Sequence, residues 1–206
     1  MQLRFETGLT GEEYVNRQAW REASLAQCPL HPDGGCSLAR HGTYERVHPP
    51  GTRIPRWYCR EGHCTFSLLP DCLAARLSGS LCELEQVVVE VERASSLETA
   101  ADRLRPDIEL PGAIRWTRHR FKPVQAALTA LRGLMPERFP GGVPTVSAWR
   151  AHLECNCILP ALRALATPYL PCLPPPLGFG PPRRAGGEHP KAHQHKTGAD
   201  PPGGNG

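Results

Sequence analysis

Cys28-Pro29-Leu30-His31-Pro32-Asp33-Gly34-Gly35-Cys36 is followed, after a basic and strand-prone segment, by Cys59-Arg60-Glu61-Gly62-His63-Cys64. Together the two stretches hold six soft or borderline metal ligands in two clusters. Zinc takes four N or S atoms at about 2.0 to 2.3 Å, and turns rich in Gly and Pro let neighbouring side chains converge on one point. Cys28-x2-His31 and Cys59-x3-His63 each have the spacing of a metal knuckle, with Cys36 and Cys64 close by as alternates. The expected ligands are Cys28, Cys59 and His63, with His31 or Cys36 as the fourth. A site closed by four protein ligands has no position for an activated water, so a single structural zinc ion is expected. Two other readings compete: free cysteines in a reducing compartment, and disulfides. Nine cysteines is an odd number, and no apolar run of signal-peptide length follows Met1-Gln2-Leu3-Arg4-Phe5-Glu6. Both features disfavour an oxidising compartment and point to the cytoplasm.

Between the clusters, Tyr44, Val47, Thr52, Ile54, Trp57, Tyr58 and Phe66 are strand formers interrupted by the turn signal Pro49-Pro50-Gly51. A hairpin flanked by two knuckles is the arrangement of a zinc ribbon, and the metal would offset a small apolar core. Upstream, Thr10-Gly11-Glu12-Glu13 has capping-box spacing and opens a short helix. Downstream, the apolar period becomes helical. Leu81, Leu84, Val88 and Val91 mark an amphipathic helix with Glu83, Glu85, Glu90 and Glu92 on its other faces. Ser95-x-x-Glu98 suggests a second cap ahead of Leu97, Ala100, Ala101 and Leu104, and residues 105–112 read as a turn.

A third helix is expected from about Pro111. It reads Ala113-Ile114-Arg115-Trp116-Thr117-Arg118-His119-Arg120-Phe121-Lys122, with Ile114, Thr117 and Phe121 toward the core. Arg115, Arg118, Arg120 and Lys122 then face outward as candidate DNA contacts, because guanidinium groups suit both phosphate and guanine. No acid lies between Ala113 and Met135. An ordinary solvated face is the competing account. Pro123 is expected to kink or end the helix, and Val124, Ala127, Leu128, Leu131 and Leu134 continue as an apolar stripe, either core or a docking face for a partner. Cys155, Cys157 and Cys172 lack ligand spacing and read as unpaired thiols.

The order Cys-Pro-x-His, then Arg40-His41-Gly42-Thr43-Tyr44, Trp57-Tyr58-Cys59 and Thr65-Phe66-Ser67-Leu68-Leu69-Pro70-Asp71 resembles the amino-terminal zinc ribbons of bacterial insertion-sequence transposases, in a branch where a helix-turn-helix follows. The resemblance spans about residues 25 to 135. The commoner ribbons have two Cys-x2-Cys knuckles, from which His31, Gly62 and His63 depart. It implies recognition of double-stranded DNA at the nucleoid, with a separately encoded transposase as the alternative partner. Such transposases continue into a catalytic domain with three carboxylates. After Gly112 this chain has only Glu137, Glu154, Glu188 and Asp200, so two-metal strand transfer is not expected and no catalytic residue is assigned.

The expected architecture is therefore a small zinc ribbon (25–72) after an amino-terminal helical segment (1–24), then a helix-turn-helix-like all-α bundle (78–138) and additional helices (143–171). A disordered tail (173–206) closes the chain, since it holds eight Pro and eight Gly in 34 residues. No apolar run approaches the roughly 20 residues of a membrane span. The net charge of +4 is too small to announce a nucleic-acid partner, and its distribution matters more.

Overall fold

A computed structural model describes residues 1–139 and 141–181. The residues between the two cysteine clusters do form a hairpin, β2 (Leu38–Glu45) with β3 (Arg53–Cys59), turned at Pro49-Pro50-Gly51. β4 (Cys64–Pro70) pairs antiparallel with β3, and β1 (Gln2–Phe5) pairs parallel with β4, giving a four-stranded sheet of order β1-β4-β3-β2. The amino terminus therefore starts as an edge strand where a helical segment was expected. Only after it comes α1 (Gly11–Asn16), opened by the Thr10/Glu13 capping box. Trp20, Ala23 and Leu25 then lie over the sheet or the strand ends, burying Tyr14, Trp57, Phe66 and Leu68.

The second layer is helical: α2 (Leu81–Arg93), α3 (Leu97–Leu104), α4 (Leu110–Leu134), α5 (Val146–Leu153) and α6 (Ile158–Leu165). Leu81, Leu84 and Val88 of α2 meet Val124, Ala127, Leu128 and Leu131 of α4 and Ile158, Leu159 and Leu162 of α6 in one buried core. The apolar stripe of α4 is thus internal, which removes it as a docking face. Pro123 lies inside α4 and does not end it: the helix spans 25 residues in all, with Thr117 buried before the proline and Val124 buried after it. The turn before α4 is shorter than expected, residues 105–109, and is braced by a bidentate Arg105–Asp107 pair that holds the Asp107 carboxyl down at about 2. The cap of α3 is Ser96, one residue later than the Ser95-x-x-Glu98 spacing suggested.

Of the acids of α2, expected outside its apolar stripe, Glu85 alone is buried, and all four are engaged by neighbouring groups. Glu83 closes a capping box with Ser80, Glu85 is buried and paired with Arg150 at 2.6 Å, Glu90 meets Arg103, and Glu92 accepts from the backbone N–H groups of Val146 and Ser147 at the start of α5. Cys82 and Cys157 form a disulfide between α2 and the residue ahead of α6, contrary to the expectation that Cys157 is an unpaired thiol; Cys155 and Cys172 are free.

The expected disordered tail begins too early. Leu173 and Leu177 are fully buried, and the chain through Gly180 packs back onto α6. A Cβ on Gly178 would lie 2.0 Å from the Leu173 carbonyl oxygen, so only glycine fits there. Arg163 of α6 is fully buried and donates to the carbonyl oxygens of Pro70, Asp71, Leu73, Pro176 and Leu177, joining the end of β4 to this segment. Its burial lowers its pKa to about 10. The rest of that expectation, residues 182–206, lies outside the described residues. No helix among the described residues is long and apolar enough to cross a membrane.

Candidate functional site

Two turns build a cluster at the far end of the sheet. In the first, His31 N–H donates to the Cys28 carbonyl at 3.0 Å and Gly34 N–H to that of His31 at 3.1 Å. Gly34 and Gly35 then adopt φ of 89° and 81°, a left-handed pair that a side chain would strain, and the chain doubles back to deliver Cys36. In the second, Cys59 ends β3 opposite Cys64, and Gly62 N–H donates to Cys59 Sγ at 3.2 Å. Glu61 ties the turns together by accepting from Ser37 N–H at 2.8 Å, and that bond above all holds its carboxyl below the usual range.

The ligand atoms of Cys28, His31, Cys36 and Cys59 all lie within 4.8 Å of one another, a set that could hold a metal ion. His31 Nδ1 stands 3.5 Å from both Cys28 Sγ and Cys59 Sγ. Cys28 and Cys59 are buried, while His31 and Cys36 are partly exposed. Burial opposes ionisation of Cys28, but hydrogen bonds from His31, the Leu30 backbone and the neighbouring thiols outweigh it and bring the thiol down to about 7. Cys36 is driven the other way, to about 12, by burial and by the adjacent sulfurs of Cys28 and Cys59. A thiol that ionises readily is the form in which cysteine ligates a metal.

Of the five expected ligands, then, four converge. His63 does not: it has a φ of 45° at the hairpin tip and its Nδ1 meets the Tyr58 hydroxyl at 3.3 Å. Cys64 turns to the carbonyl of Thr65. His31 and Cys36, which stood as alternatives for one position, both belong to the cluster.

The basic helix face divides as well. Arg115, Arg118 and Lys122 fall at i, i+3 and i+7 of α4, so they share one face, and all three are exposed. Arg120 lies about 200° round from Arg118 and folds onto the Trp116 ring, with its guanidinium carbon 3.9 Å from the centroid. Burial lowers the Arg120 pKa, as does Arg105, which covers the same ring at 5.1 Å. Sequence gives Trp116 no role of its own; in the fold it is the platform that withdraws Arg120 from the exposed set. Near the other cations, Glu98 has its carboxyl lowered by its own N–H and Ser96, with a smaller contribution from Arg118.

Comparison with models of protein families, with curated proteins and with solved structures finds no match to this chain.

Proposed function

We propose that this chain is a DNA-binding protein in which a zinc-stapled sheet supports a helical domain that presents Arg115, Arg118 and Lys122 to double-stranded DNA. The observation that carries the reading is the distribution of charge. Glu83, Glu85, Glu90 and Glu92 are engaged in caps and ion pairs within the helical layer, and no ion pair reaches Arg115, Arg118 or Lys122 among the described residues. Three unpaired cations along one exposed stripe suit the phosphate backbone, and the early turns of a helix can enter the major groove. α3, its five-residue turn and α4 supply helix-turn-helix order, and Arg120 drops out of base readout because it stacks on Trp116.

Zinc is the proposed ion. Bonds of about 2.3 Å to sulfur and 2.0 to 2.1 Å to nitrogen at tetrahedral angles require S···N edges of about 3.5 Å. Both edges at His31 Nδ1 measure 3.5 Å. Three thiolates and one imidazole fill every position, so the ion is structural, and the Gly62 N–H to Cys59 Sγ bond supports a ligand from outside the coordination sphere. The reading extends the resemblance to insertion-sequence transposases to their recognition half, in the cytoplasm at the nucleoid. It is tested by titrating labelled duplex at increasing salt. Replacing Arg115, Arg118 and Lys122 with Gln should lower affinity and flatten the salt dependence by about 0.9 in log–log slope for each phosphate that is no longer neutralised. Equal binding by the triple variant would exclude this face.

A further inference from the structure

The sheet has a second face that neither the metal cluster nor the basic face of α4 uses. Its register puts Ala39, Tyr58 and Thr65 in one row and Arg56, Ser67 and Gln2 in the next. At one end of this face Ile54 and Leu69 are buried against Leu73, Ala75 and Phe179. Beyond them the cover stops. Gln2, Arg56, Tyr58, Thr65 and Ser67 are only partly buried, and His41 and His63 are exposed.

The uncovered residues form an array of rings beside one guanidinium. The His41 and Tyr58 rings lie 5.7 Å apart at an interplanar angle of 40°, and His63 joins the Tyr58 hydroxyl at 3.3 Å. Arg56 places its guanidinium carbon 5.8 Å from the Tyr44 ring centroid, while its Nε is buried with no hydrogen-bond partner among the described residues. No carboxylate belongs to these rows: Glu45 pairs with Arg53 in the alternate register, and Glu61 is bound to Ser37 N–H. A half-buried cation with no ion-pair partner among the described residues, two positions from Tyr58 along β3 and close to the Tyr44 ring of β2, attracts an anion that carries flat groups.

We propose that this face binds single-stranded DNA, an inference that rests on the reading of the protein as DNA-binding. Unpaired bases would stack on Tyr58 and His41, and Arg56 would hold the adjacent phosphate. A duplex conceals its base faces and cannot use the rings, whereas stacking platforms flanked by cations are how sheets hold single strands. An acidic protein segment would be held by the cation with little need for the rings, and so predicts dependence on Arg56 alone.

The test measures anisotropy of a labelled oligothymidylate roughly 15 nucleotides long, within the site sizes of single-strand-binding sheets, alongside labelled duplex, using the full-length metal-loaded protein. Tyr58→Ala and His41→Ala should each weaken oligothymidylate binding about tenfold, the loss of one base–aromatic stack, and Tyr58→Phe should retain it. Arg56→Gln should flatten the log–log salt slope by about 0.7, as expected when one single-strand phosphate is no longer neutralised. None of these changes should alter duplex binding, and the triple Gln variant of α4 should leave oligothymidylate binding intact. Because Tyr58→Ala could disturb the sheet, the unmodified protein is also photo-cross-linked to an oligonucleotide bearing iododeoxyuridine, with adducts expected in residues 39–67. Absence of oligothymidylate binding overturns the proposal. So do binding indifferent to both Tyr58→Ala and Arg56→Gln, adducts confined to α4, or dependence on Arg56 alone. Failure of the unmodified protein to bind duplex, with the single-strand results unchanged, would instead sink the helix-face reading and leave this one standing.

Discussion

At the scale of single residues, the metal cluster makes a sharp division among side chains that spacing alone treats as equals. Cys28, His31, Cys36 and Cys59 converge, while His63 and Cys64 sit within a few residues and point elsewhere. If the proposed ion is held by these four residues, replacing His31 with Ala or Cys36 with Ser should lose it, measured as metal per chain on the purified protein. His63→Ala and Cys64→Ser should keep it at one per chain, and loss in either would contradict this ligand set. Spacing made the two clusters legible, because turns rich in Gly and Pro let neighbouring Cys and His side chains converge. It could not choose among them, since that choice depends on backbone dihedrals. The left-handed pair at Gly34 and Gly35 brings Cys36 back, and the left-handed conformation of His63 turns its ring to the opposite side of the sheet.

At the scale of elements, the strongest local devices lie at helix starts. Ser80 caps α2 by accepting from Glu83 N–H, and the Glu83 carboxylate returns to Ser80 N–H. Removing the hydroxyl with Ser80→Ala should cost about 1 kcal/mol of stability in denaturant unfolding. Burial works to raise the Glu83 carboxyl, but bonds from the Ser80 backbone and from His48 prevail and lower it. A carboxylate depressed in the folded state contributes stability that is complete above its ordinary range and fades as acid protonates it. Stability should accordingly fall with pH below about 4.5, and Glu83→Gln should flatten that portion of the profile. If the two profiles run parallel, the box contributes nothing through its charge. The box at Thr10 was visible in sequence as Thr-x-x-Glu, and this one has the same pattern in Ser80-x-x-Glu83, one residue ahead of the apolar period that starts at Leu81. For α4 the periodicity found the stripe correctly. It could not say that the stripe is internal, because whether an apolar face is filled by the chain itself or by a partner depends on α2 and α6, which are distant in sequence.

At the scale of the whole molecule, one buried arginine and the segment from Leu173 to Gly180 hold the two layers together. Composition alone reads this segment as disordered, since Pro and Gly favour unfolded chain. Here the same residues do the opposite: the prolines restrict the segment before folding, the glycines let its backbone approach Leu173 and Cys172 too closely for a Cβ, and Leu173 and Leu177 fill the core. No local pattern could have announced Arg163, whose five acceptors come from the end of β4 and from residues 176 and 177. Arg163→Met would keep much of the volume but leave those carbonyl oxygens without a donor, a loss expected to reach about 3 kcal/mol because charged donors and buried unpaired acceptors both carry large terms. A chain ending at Pro181 retains all of these interactions, whereas one ending at Cys172 gives up Leu173, Leu177 and two of the acceptors. The second truncation should therefore lower the unfolding midpoint far more than the first, and Gly178→Ala should resemble it in direction. Combining Arg163→Met with the Cys172 truncation sharpens the test, since residues in one network do not add. The double change should cost less than the sum of its parts, and strict additivity would mean that the arginine and the carboxy-terminal segment stabilise the fold independently.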